Sequence, residues 1–200
     1  IMRVGKGSDK CYKEVKDLVP VADLNDIVFG AWDLYEDDGY DAAIKADVLK
    51  QRDIDPVKDE LRAIRPYKAL FDKSYASNID GPNVKSGTRW EMTEQLREDI
   101  RSFKAENGCE RVVVIWIAST EKFIKRNDEV HGSVAAFEAA MKADDKANVA
   151  PSMCYAYAAL TEGAPFIMGA PNTTVDIPAM WELSEKTQMP ISGKDFKTGQ

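Results

Sequence analysis

The chain has 200 residues, 44% hydrophobic and 30% charged, enough to bury one sizeable core. Its 34 acidic and 27 basic residues are spread along the chain and give a net charge of -7, so no basic stripe exists for phosphate backbones and nucleic acid is excluded as a partner. No apolar run approaches the roughly 20 residues that span a bilayer, and the N-terminus IMRVGKGSDK lacks signal-peptide architecture, so a cytoplasmic protein with no membrane partner is expected.

In chain order, short β-branched runs alternate with polar or glycine-rich breaks and helical stretches, which predicts an α/β fold with a parallel sheet and crossover helices. The first strand is expected over Asp26 to Trp32 (DIVFGAW). A helix carrying Ile44, Val48 and Leu49 follows, and Asp55-Pro56 opens another with Val57, Leu61 and Ile64 that Pro66 ends. Phe71 to Gly87 reads as a long loop. A helix from about Thr88 to Asn107 has a capping box in Thr88 and Glu91, an apolar stripe of Met92, Leu96, Ile100 and Phe103, and Gly108 as its stop. Arg111 to Ala118 (RVVVIWIA) reads as a strand covered on both faces at the sheet centre. Helices starting near Ser133, over Pro151 to Glu162, and after Pro178 with Trp181 and Leu183 alternate with strands over Pro165 to Gly169 and Met189 to Ser192. Four strands are expected. With Ile1 standing before Met2 and Gln200 inside what looks like a working loop, the chain reads as an incomplete stretch.

Open parallel sheets bind ligands outside the carboxyl ends of their strands, so residues just after each apolar run are the candidates. Asp33 follows the first run; an acid there accepts hydrogen bonds from ribose hydroxyls, or caps a turn. Ser119-Thr120-Glu121-Lys122 follows the second, where small hydroxyl residues admit a flat cofactor, or simply cap a helix. Gly169-Ala170-Pro171-Asn172-Thr173-Thr174 is either a ligand loop or a plain turn. Gly193 to Gln200, with Lys194, Lys197 and a Thr-Gly-Gln run, has the makings of an anion site for a sugar phosphate. His131 reads as an exposed loop residue, the clusters Glu36-Asp37-Asp38 and Asp144-Asp145 as solvated faces, and Cys11, Cys109 and Cys154 as buried free thiols. No metal site is expected. Neither G-x-G-x-x-G nor G-x-x-x-x-G-K-[ST] occurs.

At these same places the sequence resembles the inositol-3-phosphate synthase (myo-inositol-1-phosphate synthase) family, and bacterial members in particular. The family's G-G-W-D stands here as Gly30-Ala31-Trp32-Asp33, its W-x-A-[NS]-T-E as Trp116 to Glu121, its A-P-S helix start as Ala150-Pro151-Ser152, its G-[AS]-P loop as Gly169-Ala170-Pro171-Asn172, and its G-x-D-x-K-[ST]-G-Q as Gly193 to Gln200. All five are in family order, from about Lys13 to the end. Ala31 departs from the second glycine of the first motif, which is tolerable unless that position needs a positive φ.

The resemblance implies a Rossmann-like parallel sheet, with residues 1–200 a single incomplete NAD-binding domain lacking the family's first strand and glycine loop and leading into a missing second domain. It implies the NAD-dependent isomerisation of D-glucose 6-phosphate to 1D-myo-inositol 3-phosphate, without net redox, by a homotetrameric parent. Asp33, Ala118, Ser119, Gly169 and Asp195 would line the cofactor, Thr198, Gly199 and Gln200 would hold the substrate phosphate, and Lys197 would be catalytic, with the principal catalytic lysines beyond the chain. This 200-residue stretch alone is expected to be inactive. A fragment of an ordinary NAD-dependent sugar-phosphate dehydrogenase and a non-catalytic truncated relative are the alternatives.

Overall fold

A computed structural model describes residues 2–5 and 10–196. Three small sheets occur among them. β1 (Met2–Val4) pairs antiparallel with β2 (Cys11–Lys13). β3 (Trp32–Asp33) pairs in parallel with β4 (Tyr67–Lys68), and β5 (Val114–Trp116), β6 (Phe166–Met168) and β7 (Ile191–Gly193) form a parallel sheet in the order β5-β6-β7.

Helices make the crossovers, as parallel pairing requires. α1 (Gly39–Ala46), α2 (Gln51–Ile54) and α3 (Lys58–Ala63) join β3 to β4. α4 (Arg89–Glu106) leads into β5, and α5 (Asp128–His131), α6 (Val134–Lys142) and α7 (Pro151–Thr161) join β5 to β6. α8 (Pro178–Thr187) joins β6 to β7. The organisation is the expected Rossmann-like α/β class. No described helix is long and apolar enough to cross a membrane.

The helices start where their chemistry says they should. Thr88 and Glu91 form a reciprocal capping box on α4, Ser133 Oγ accepts the Ala136 N–H at 3.2 Å on α6, and prolines occupy the first turns of α7 and α8, where no N–H is needed. α7 is the centre of the core: every residue from Pro151 to Leu160 is buried, α4 and α8 pack against it, and α6 reaches it through Phe137 and Glu138 at Tyr157.

Several expectations are corrected. The strand over Asp26 to Trp32 contracts to Trp32–Asp33; Ile27, Val28 and Phe29 are exposed and have no partner strand among the described residues. The run Arg111 to Ala118 yields only Val114–Trp116, at an edge of its sheet, because Val114 faces the core while Val113, Ile115 and Ile117 are exposed. Continuous apolarity therefore does not mark a strand covered on both faces here. Val48 and Leu49 lie outside α1, which Asp47 ends in the left-handed conformation at φ 51°. Asp55 to Val57 is a short 3-10 turn ahead of α3 rather than the first turn of one helix. Two-residue β4 and the β1–β2 pair were not expected, being too short to print a period on the sequence.

Candidate functional site

Ala118, Ser119, Gly169 and Asp195 follow the carboxyl ends of β5, β6 and β7, and Asp33 is the last residue of β3 in the other parallel sheet. The Gly169 N–H donates to the Trp116 carbonyl at 2.9 Å and the Phe196 N–H donates to the Gly169 carbonyl at 3.2 Å, so the ends of β5, β6 and β7 are stitched side by side. β3 belongs to a different sheet, and an aromatic wedge draws its end toward theirs: the Tyr155 ring of α7 meets Trp32 at 5.2 Å and Trp116 at 5.3 Å, both edge to face. The Tyr155 hydroxyl is held in place by the Leu70 N–H at 2.8 Å. Trp32 is fixed in turn by its indole N–H, which donates to Asp99 at 2.7 Å, and Asp99 is paired with the buried Lys85.

Glycine is required at two places on this edge. A Cβ on Gly169 would stand 2.4 Å from the Trp116 carbonyl oxygen, and one on Gly193, whose φ is 111°, would stand 2.1 Å from that of Met168. Asp195 carries a positive φ of 153° without being glycine, a strained backbone at the edge itself. Ala31 does not have a positive φ, so its methyl group is carried without strain.

Asp33, Ala118, Ser119 and Asp195 are exposed and Gly169 is partly so. Asp33 Oδ1 accepts the Tyr35 N–H at 2.9 Å, so the carboxylate shapes its own turn while a second oxygen stays available. An exposed carboxylate at one strand end is an acceptor for ribose hydroxyls, and small residues and glycine at the other strand ends leave room for a flat ring. NAD fits the residues present in that sense. Lys197, Thr198, Gly199 and Gln200 lie outside the described residues.

Behind the edge sits a polar cluster whose members lie in stretches the sequence reading singled out but whose assembly it did not anticipate. Glu121 is buried, and Ser152 donates to it from its N–H at 2.9 Å and from its hydroxyl. Asn172 Nδ2 donates to the same carboxylate at 3.2 Å, while Asn172 Oδ1 accepts the Glu121 N–H at 3.1 Å. The Ser152 and Thr174 hydroxyls are 2.5 Å apart. Burial pushes the Glu121 carboxyl up from 4.5 to about 7, against the opposing hydrogen bonds from Ser152 and the charge of Arg89. The signal available in the sequence was an acid five residues past the end of β5.

Other expected roles change. His131 is fully buried: Nδ1 accepts the Asn127 N–H at 3.0 Å and Nε2 meets the Asn148 carbonyl at 2.8 Å, which fixes a tautomer protonated on Nε2. Asp38 is buried as the N-cap of α1, and Asp144 accepts the Arg89 N–H at 2.9 Å, so neither acidic cluster is simply a solvated face. Of the thiols only Cys154 is buried; Cys11 is exposed and Cys109 intermediate. Among the described residues no group of three or more His, Cys, Asp or Glu side chains could hold a metal ion.

A family model for NAD binding, described as myo-inositol-1-phosphate synthase, matches residues 1–198. Inositol-3-phosphate synthase 1 of Bacteroides thetaiotaomicron is 59% identical over 94% of this chain and 44% of the relative, and inositol-3-phosphate synthase 1 of Oryza sativa is 35% identical over 100% of this chain and 40% of the relative. The crystal structure of inositol-3-phosphate synthase from Caenorhabditis elegans superposes with a TM-score of 0.90 at 28% identity, covering 100% of this chain and 40% of that one. The chain thus spans less than half the length of these relatives.

Proposed function

Because the chain belongs to the myo-inositol-1-phosphate synthase family, we propose that residues 1–200 are the NAD-binding portion of an inositol-3-phosphate synthase. The parent isomerises D-glucose 6-phosphate to 1D-myo-inositol 3-phosphate in the cytoplasm, by oxidation, enolisation, aldol cyclisation and reduction with no net redox. Residues 1–200 form one Rossmann-like unit leading into a catalytic and tetramer-forming domain.

NAD, when bound, supplies a hydride acceptor that becomes the donor at the end of the cycle. This chain's own residues bind and orient. Asp33 accepts hydrogen bonds from ribose hydroxyls, Ala118 and Ser119 leave room for a flat ring, Gly169 lets the backbone come close, and Asp195 closes the edge after β7. Lys197 contributes charge beside the reacting sugar, and Thr198, Gly199 and Gln200 hold its phosphate through backbone N–H groups.

The observation that supports this reading is the Trp32–Tyr155–Trp116 contact, which links the strand that Asp33 ends to the strand that precedes Ala118 and Ser119 although the two strands share no hydrogen bonds. The test is to supply the intact protein with glucose 6-phosphate and NAD and to follow inositol phosphate and NADH together. Inositol phosphate formed with no accumulating NADH is expected. Stoichiometric NADH with an oxidised sugar phosphate would make the parent a dehydrogenase instead.

A further inference from the structure

Glu121 stands two residues past Ser119 and three past Ala118, and Asn172 three past Gly169, so the pair sits directly behind the two loops of the cofactor edge. Their contact is reciprocal. The Glu121 N–H fixes Asn172 Oδ1, which leaves Asn172 Nδ2 pointing at the Glu121 carboxylate, and the amide cannot flip without losing both bonds. The same carboxylate caps α7. Pro151 has no N–H to offer, Ala150 has no side-chain oxygen, and Glu121 takes the Ser152 N–H from outside the helix.

We propose that Glu121 is a positioning residue for the nucleotide: through Asn172 and Ser152 it locks the loop after β5, the loop after β6 and the start of α7 into one rigid unit. The proposal rests on the reading of this edge as the NAD site. It goes beyond packing because the lock depends on donor and acceptor polarity. A carboxyl in either protonation state presents an acceptor to Asn172 Nδ2, whereas a glutamine must turn its NH2 group toward either Asn172 Nδ2 or the Ser152 N–H, donor against donor in both orientations.

That polarity can be exchanged. With Gln at 121 and Asp at 172, the Asp accepts both the backbone N–H of residue 121 and the new amide. The variants E121Q, N172D and E121Q/N172D are therefore compared in the intact protein, reading NAD KM and kcat alongside amide hydrogen exchange of residues 118–124 and 169–176. Each single variant is expected to raise the NAD KM by about tenfold, the effect of one buried donor or acceptor left unpaired, with a smaller change in kcat and faster exchange in both loops. The double variant is expected to return KM to within about threefold of the parent and to restore protection, a coupling that independent effects cannot produce. Additive losses in the double variant, or loops that stay protected in E121Q, overturn the proposal. Loops that loosen and recover while NAD KM never moves also overturn it, and leave the NAD reading standing. If the parent protein itself shows no NAD dependence, the reading of the edge fails and takes the proposal with it.

Discussion

Replacing Glu121 by Gln should change how stability depends on pH, and the size of the change follows from the burial of one carboxyl. In the folded chain Glu121 is pushed up from 4.5 to about 7. A carboxyl raised on folding binds its proton more tightly in the native state, so its contribution is fully present below about pH 4.5 and is lost as pH rises through about 7. The span between those two values, at about 1.4 kcal/mol per pH unit, comes to about 3 kcal/mol. Gln does not titrate, and its misdirected NH2 group costs about 1–3 kcal/mol at every pH. E121Q should therefore be less stable than the parent at pH 5, and the gap should close or reverse by pH 8.5. Urea unfolding at half-unit steps measures this, and subtracting the two curves cancels the titrating groups that do not interact with Glu121. A difference that stays flat across the range would mean that Glu121 is ionised throughout and that its burial is offset by Ser152 and Arg89.

Two further outcomes follow from geometry alone. His131→Ala should destabilise the fold by about 2–4 kcal/mol in urea unfolding, since it empties a fully buried site and orphans both the Asn127 N–H and the Asn148 carbonyl. Gly193→Ala should lower the melting temperature and weaken the β6–β7 junction, because the new Cβ would stand 2.1 Å from the Met168 carbonyl oxygen and would have to adopt a φ of 111°.

Capping chemistry was the most legible part of the sequence. Thr88 with Glu91, Ser133, Pro151 and Pro178 each placed a helix start correctly, since a cap is settled by residues within one turn. Strand lengths were not legible. Ile27 to Phe29 and Val113 to Ile117 have strand composition, but a strand also needs a neighbour to bond to, and local periodicity carries no record of one. Asp33, Ser119 and Gly169 were singled out by the rule about strand ends and Ala118 and Asp195 by the family resemblance, whereas the approach of β3 to β5 depends on Tyr155, a residue that reads as ordinary helix core. Glu121 and His131 escaped for the same reason. What each does is decided by atoms from segments distant in the chain, Ser152 and Asn172 in one case and Asn148 in the other.

Helix α7, with no side open to solvent from Pro151 to Leu160, is held against rotation about its own axis. A slip by a single residue would turn it by about 100°. Such a turn would carry Ser152 away from Glu121 at one end and withdraw Tyr155 from between the two tryptophans one turn later. The helix thus behaves as a keyed shaft, with the cap and the aromatic wedge seated in the same angular setting. Anything that loosens its grip on α4 or α8 would be felt at the carboxyl ends of the strands as a change of angle before it was felt as a loss of contact.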